Sequence, residues 1–239
     1  MNKKELSFAL IGAGGIGKIW AGALLTTPQV DLKYVVDVDE SKASEMASQF
    51  SRCSTESSWE KIVNTDGVDA VIVATPHKAL APISRAFLNN KKHVLCEKPG
   101  AIDAQSLYEN SEIASEMGLV YMIGFNHRFH KAFIEAKRRL NEGEIGEPLF
   151  IRARYGFGGR PDYEKEWRLN KEISGGGELL DQGVHMIDLA RWFLGEFVDV
   201  KGFAEKMYWQ GDVEDNGFAL LRTKDHRVAS IHVSWTQWD

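Results

Sequence analysis

Apolar residues in the first half of the chain fall into short, β-branched runs separated by longer stretches with helical spacing. Leu6–Ile11, Leu32–Val36, Ala70–Ala74, His93–Cys96 and Val120–Ile123 read as strands, and residues 15–26, 41–50, 57–64, 79–90 and 103–117 as helices. Strands that are apolar on both faces and alternate with helices predict a parallel sheet covered on both sides. Right-handed crossovers between them make it a doubly wound α/β domain.

The rhythm changes after about residue 124. A helix is expected at 130–142 and a strand around 148–156, ending at Gly-Phe-Gly-Gly. Gly175-Gly176-Gly177 precedes a helix expected from Glu178 to Leu194, and β-like runs follow at 198–209, 216–223 and 227–238 with no helix between them. Successive strands joined by short turns, such as Lys224-Asp225-His226, predict an antiparallel sheet and an α+β second domain.

Composition narrows this little. The 239 residues are 44% hydrophobic and carry a formal charge of −5, an ordinary globular balance with no basic excess to suit nucleic acid or an anionic membrane. Two cysteines, Cys53 and Cys96, are too few for a disulfide framework. The opening Lys3-Lys4 and Leu6–Ile11 superficially resemble a signal peptide, but Glu5, four glycines and Lys18 interrupt the pattern. A buried first strand explains those residues better, no apolar run reaches membrane-spanning length, and a cytoplasmic location is expected.

Candidate chemistry starts at Gly12-Ala13-Gly14-Gly15-Ile16-Gly17, which matches G-x-G-x-x-G. Alone the pattern is weak. Here it follows a predicted strand, opens a predicted helix, and is followed twenty residues after Gly17 by Asp37 at the end of the next strand. Such glycines let a pyrophosphate approach the helix N-terminus, and the aspartate would accept from the adenosine ribose hydroxyls and repel a 2′-phosphate. No arginine follows Asp37 directly, so NAD is favoured over NADP. Ala74-Thr75-Pro76-His77 and Cys96-Glu97-Lys98-Pro99 end two further strands, where ligand crevices of such sheets lie. A lysine there can hydrogen-bond a substrate hydroxyl, although a surface lysine is the commoner reading of E-K-P.

In the second half, Asp181 and His185 stand at i and i+4 and share a helix face, with Asp188 and Trp192 further along. A histidine beside a carboxylate suits proton removal from an alcohol, although such pairs by themselves are more often structural contacts. No third ligand at a characteristic spacing supports a metal. The run from Gly159 to Arg168 mixes Arg160, Tyr163, Trp167 and Arg168, which suits sugars and anionic groups as well as it suits a charged surface loop.

Taken together, the glycine loop, Asp37, Thr75-Pro76, Cys96-Glu97-Lys98-Pro99, Gly124-Phe125-Asn126-His127-Arg128-Phe129 and Asp181-x-x-x-His185 resemble the glucose–fructose oxidoreductase/inositol dehydrogenase/MocA family. The resemblance implies a Rossmann domain (residues 1–124) and an α+β substrate domain with an open, mainly antiparallel sheet (125–239). It implies hydride transfer between nicotinamide and a hydroxyl-bearing carbon of a sugar, cyclitol or nucleotide sugar. The glycine loop (Gly12, Gly14, Gly15, Ile16, Gly17), Asp37, Thr75, Pro76, His77, Glu97 and Lys98 would contact the cofactor. Lys98, Asp181 and His185 would form the catalytic set, with Pro99 after a cis peptide. Asn126 and Arg128 join Arg160, Tyr163, Trp167 and Arg168 as candidate substrate contacts. An NAD-dependent glycosidase and a non-catalytic nucleotide-binding sensor or inactive remnant are the competing functions.

Two departures stand out. Many relatives have Thr-Pro-Asn with a histidine three residues after the asparagine, where this chain has Thr75-Pro76-His77 and Leu80. Relatives also continue past the point where Val233 to Trp238 reads as a strand just begun. The second domain is therefore expected to be incomplete, from a fragment or a truncated reading frame, with an apolar edge that favours a homo-oligomer through the C-terminal sheet.

Overall fold

A computed structural model describes residues 5–238; Lys3, Lys4 and Asp239 lie outside them. The chain divides into two compact units, the first ending at Gly124 and the second beginning at Phe125.

The first unit is a six-stranded parallel sheet in the order β3-β2-β1-β4-β5-β6. Its elements run β1 (Leu6–Ile11), α1 (Gly15–Thr26), β2 (Val30–Val36), α2 (Glu40–Ala47), β3 (Ser54–Glu56), β4 (Ala70–Val73), α3 (His77–Asn89), β5 (His93–Cys96), α4 (Ala104–Glu116) and β6 (Tyr121–Ile123). Strand periodicity sends alternate residues of β1 to opposite faces. Ala9 and Ile11 pack with Leu80, Ile83 and Phe87 of α3 and Ala114 of α4, whereas Leu10 packs with Ala21 and Leu24 of α1 and Ala43 and Met46 of α2. The sheet is therefore covered on both sides, as the unbroken apolar strands require.

Two sequence expectations change here. Residues 57–64 form no α-helix, only a 3₁₀ turn at Trp59–Lys61. Ile62 and Thr65 donate to the carbonyls three residues back, and the polar Asn64-Thr65-Asp66-Gly67 run leaves no apolar stripe to continue a helix. The short edge strand β3, which pairs with Tyr34–Val36, was not expected, because Ser54-Thr55-Glu56 lacks an apolar pattern.

The second unit comprises α5 (Lys131–Asn141), β7 (Phe150–Gly156), α6 (Lys171–Ser174), α7 (Val184–Leu194), β8 (Phe197–Glu205), β9 (Asn216–Thr223) and β10 (Val228–Ser234). Its sheet has the order β7-β10-β9-β8, antiparallel except for the parallel β7–β10 pair. Met186, Leu189, Ala190 and Leu194 of α7 cover one face through Leu221, Ala229, Ile231 and Val233. On the other face, Phe203 is 71% and Leu220 54% exposed.

Three boundaries differ from expectation. The helix expected from Glu178 begins as a π-helical turn, Leu179–Gly183, before α7 proper. The strand expected over 198–209 stops at Glu205, because Asp215 draws the amides of Met207, Tyr208 and Trp209 into a loop. The last strand ends at Ser234: the Trp235 amide bonds Asp215, and its fully buried ring joins Tyr163 and Trp209 in a separate cluster. Val233 to Trp238 is thus a strand end and the loop after it, not the start of another strand.

Candidate functional site

In the first unit the glycines divide into two kinds. A Cβ on Gly12, whose φ is +102°, would stand 2.4 Å from the Ala74 carbonyl oxygen, and one on Gly17 would stand 2.1 Å from the Gly12 oxygen. These two are glycines because the chain is packed against itself. Gly14 and Gly15 have nothing within 4 Å of that position, so the backbone at the start of α1 is open to a ligand. Gly14 is the N-cap and no side chain caps the helix there. An anionic group suits such an end.

Asp37 reaches back to this loop. Its carboxylate accepts from the Ala13 amide at 2.6 Å and from the Asp39 amide at 2.9 Å. Lys42, the first basic residue after Asp37, is paired at 2.9 Å with Asp39, the N-cap of α2. The hydrogen bonds from Lys42 and Ser41 hold the Asp39 carboxyl well below the usual carboxylate range. Acidic charge therefore dominates the end of β2, a setting that disfavours a 2′-phosphate.

Thr75 adjoins Gly12, and its buried hydroxyl has no hydrogen-bond partner among the described residues. Pro76 caps α3, and His77 is buried at its first position; Leu80 lies wholly in the core. The open glycine cradle, the Asp37 carboxylate and this unsatisfied hydroxyl fit a dinucleotide. Glu97 is buried, and its carboxyl accepts from the Trp20 indole at 2.8 Å and from the Lys98 amide at 3.2 Å. Burial pushes its pKa up, against the pull of Trp20 and the Lys98 charge. Lys98 is half-buried and precedes a cis peptide to Pro99.

In the second unit the π-helical turn carries Asp181, and α7 carries His185. Gly177 allows the turn to begin: a Cβ there would meet the Glu214 carbonyl oxygen at 1.8 Å. The Glu214 carboxylate accepts from the Gly177 and Leu179 amides, and its carbonyl accepts from the Glu178 amide. A carboxylate thus satisfies the first amides of the segment that presents the catalytic candidates.

Asp181 is 1% and His185 4% exposed. Arg168 Nε donates to Asp181 Oδ2 at 2.9 Å, and its Nη1 donates to Glu166 at 3.1 Å. Burial, the largest single influence, works to lower the Arg168 pKa, but the charge and hydrogen bond of Asp181 together with the charges of Tyr163 and Glu166 outweigh it, and the net direction is upward. The guanidinium also lies 4.6 Å from the Trp167 ring centroid. Arg160 pairs with the other oxygen of Glu166. Arg168, Trp167 and Arg160 therefore form a layered support for Asp181, which their separation in sequence from Asp181 conceals.

Two sequence assignments change. Arg128 grips Asp188 with two hydrogen bonds of 2.7 and 2.6 Å, so its guanidinium braces α7 and is not simply offered to a substrate. Tyr163 is 1% exposed, caged by Phe157, Trp209 and Trp235 with ring centroids 5.3–5.6 Å away; it is a core residue, with its hydroxyl pKa raised by burial. Asn126, exposed, opens the 3₁₀ turn Asn126–Phe129. The sequence reading gave no role to His127 in that turn, yet its ring stacks on His185 with centroids 4.1 Å apart and planes 17° from parallel. Phe125 meets His185 edge-on at 6.0 Å.

Known proteins place this geometry. The family profile described as "Oxidoreductase family, NAD-binding Rossmann fold" matches residues 6–125, and the "GFO/IDH/MocA C-terminal domain" matches residues 133–239. The chain belongs to the GFO/IDH/MocA family. Within that family it is 29% identical over 230 residues to levoglucosan dehydrogenase of Pseudarthrobacter phenanthrenivorans, covering 92% of this chain and 59% of that protein. It is 30% identical over 200 residues to scyllo-inositol 2-dehydrogenase (NAD(+)) of Bacillus subtilis, covering 83% of this chain and 57% of that one. A levoglucosan dehydrogenase structure in complex with NADH superposes with a TM-score of 0.92 at 28% identity, over 97% of this chain and 67% of that chain. The chain thus spans less than three-fifths of the length of these two curated GFO/IDH/MocA relatives.

Proposed function

We propose that the chain transfers a hydride between NAD and a hydroxyl-bearing carbon of a sugar, cyclitol or nucleotide sugar. The observation that carries this reading is the Asp181–His185 segment, in which a nearly buried imidazole follows one turn after a carboxylate braced by Arg168, in a chain of this family. The names of its relatives, a levoglucosan and an inositol dehydrogenase, support the substrate class.

When bound, NAD supplies the hydride acceptor. Gly14 and Gly15 would admit its pyrophosphate to the start of α1, Asp37 would accept from the ribose hydroxyls, and the Thr75 hydroxyl would hydrogen-bond the dinucleotide. His185 removes the proton of the hydroxyl being oxidised. Lys98, at the end of β5, is the proposed donor to a substrate oxygen, where its charge would stabilise developing negative charge. Asp181, its charge balanced by Arg168, orients the substrate or the His185 imidazole. Asn126 stands as a substrate contact. The open face of the second sheet, with Phe203 and Leu220 exposed, joins copies of the chain into a homo-oligomer. Two unpaired cysteines, and no helix among the described residues long and apolar enough to cross a membrane, are consistent with a cytoplasmic protein.

The test is NADH formation over a panel of sugars, inositols and nucleotide sugars. His185→Ala and Lys98→Ala are expected to cut kcat/KM by about 10²–10⁴-fold while leaving NAD affinity nearly unchanged. Full turnover in either variant, or glycoside cleavage without net NADH, overturns the reading.

A further inference from the structure

The His127–His185 stack is the least expected arrangement in the second unit. The two residues lie 58 positions apart in sequence, on the 3₁₀ turn after Phe125 and on α7, yet their rings overlap at 4.1 Å and 17°. Aromatic pairs prefer offset or edge-on arrangements, and two cationic rings at this separation repel. A stack of one neutral and one protonated imidazole is favourable, because the cation faces a π-system.

We propose that His127 is a positioning residue for His185: its stacked ring fixes the plane of the His185 imidazole and restricts the pair to a single proton near neutral pH. This rests on the reading that His185 takes the substrate proton.

The surroundings fit that role. Phe125 meets His185 edge-on, and Tyr155 of β7 lies 5.5 Å from the His127 ring, so the pair is packed between aromatic groups that limit rotation. The acidic groups of this neighbourhood are Asp181, tied to Arg168, and the wholly buried Glu178. Burial first, then the charges of Glu178 and Asp181, push the Tyr155 hydroxyl upward. Asp188 on α7 is neutralised by Arg128. The like charge across the stack opposes a second proton on the pair. A base that must be neutral before it can accept a substrate proton is kept so when the partner ring carries the charge.

The pairing is read directly from imidazole proton resonances of the intact chain across a pH titration, with no turnover involved. His127→Phe keeps an aromatic ring on His185 but removes the second titrating group, and His127→Gln is the neutral alternative if the larger ring disturbs folding. In either variant the protonation midpoint of His185 is expected to rise by about one pH unit, a tenfold gain in proton affinity. His185→Phe is expected to leave the His127 midpoint nearly in place, because His127 takes the first proton while His185 is still neutral. A stack that served packing alone would leave the His185 midpoint in place. A His185 midpoint unchanged within about 0.2 unit overturns the proposal, and so does a His127 midpoint that rises in His185→Phe while that of His185 stays in place in His127→Phe, since the shift falls on the ring that takes the second proton. Coupled midpoints with a fully active His185→Phe enzyme would overturn the base assignment and the positioning role with it. Uncoupled midpoints with an inactive His185→Phe enzyme would overturn the pairing and leave the base assignment standing.

Discussion

The carboxylate of Asp37 already accepts from the Ala13 and Asp39 amides, so any hydrogen bond to a ribose uses its remaining lone pairs. It therefore sets the shape of the glycine loop and its charge together, and two substitutions separate them. Asp37→Ala removes both, and NAD affinity is expected to fall roughly tenfold or more, the loss of hydrogen bonds to a charged group. Asp37→Asn keeps an acceptor for the loop but removes the charge, so the NAD to NADP preference is expected to shrink further than NAD affinity does. Titration calorimetry with the two dinucleotides measures both; equal preference in the wild type and the Asn variant would remove the charge from the explanation. The spacing after Gly17 singles out Asp37, and the fold brings its carboxylate onto the Ala13 amide of the glycine loop. The roles of Arg128 and Tyr163 were not legible in the sequence: an arginine and a tyrosine in a polar stretch look alike whether they face solvent, a ligand or the core. Only the approach of Asp188 to one and of Trp209 and Trp235 to the other decides it.

At the scale of elements, the G-x-G-x-x-G segment predicts opposite outcomes for residues two and three positions apart. Gly17→Ala drives a methyl group into the Gly12 carbonyl, and a shift of backbone is needed to relieve it. Loss of about 2–4 kcal/mol in urea unfolding is expected, in the range of overpacking and backbone strain. Gly14→Ala meets no atom, and its φ of −74° suits alanine, so stability is expected to change by less than about 1 kcal/mol. NAD affinity is nevertheless expected to fall sharply, because the methyl group occupies the cradle. If both variants behave alike in unfolding and in binding, the division of the loop into packed and open glycines is wrong. Periodicity located nearly every helix and strand here because burial on one or two faces leaves a repeat in the sequence. It missed β3, whose polar residues pair by backbone alone, and the π-helical turn at Leu179–Gly183, whose geometry comes from Gly177 meeting Glu214. The latter pair stands 37 positions apart, and no local pattern announces it.

On the scale of the whole molecule, the second sheet is covered by α7 on one side only, and Phe203 and Leu220 are exposed on the other. The apolar edge expected at Val233 to Trp238 is not found: β10 is an inner strand of the sheet and Trp235 is buried, and the exposed apolar residues lie on the open face instead. Association through this surface makes a definite demand: Phe203→Glu and Leu220→Glu are expected to shift sedimentation toward the monomer without loss of secondary structure. A wild-type chain that sediments as a monomer at micromolar concentration, or variants that associate like the wild type, would remove the sheet from the interface.

Asp215 ties that sheet to the loop between β8 and β9. Its wholly buried carboxylate accepts from the successive amides of Met207, Tyr208 and Trp209 and from Asn216. Burial alone would raise its pKa, but these donors hold it below the usual aspartate value. Residues 206–215 have no strand or helix of their own, yet three of their amides are shielded as fully as a ladder would shield them. The loop cannot fray by itself: releasing those amides to solvent means exposing a buried anion and the Trp235 carbonyl that holds the Trp209 indole. In hydrogen-exchange terms the connection belongs to the same cooperative unit as β8 and β9, and it opens when they open.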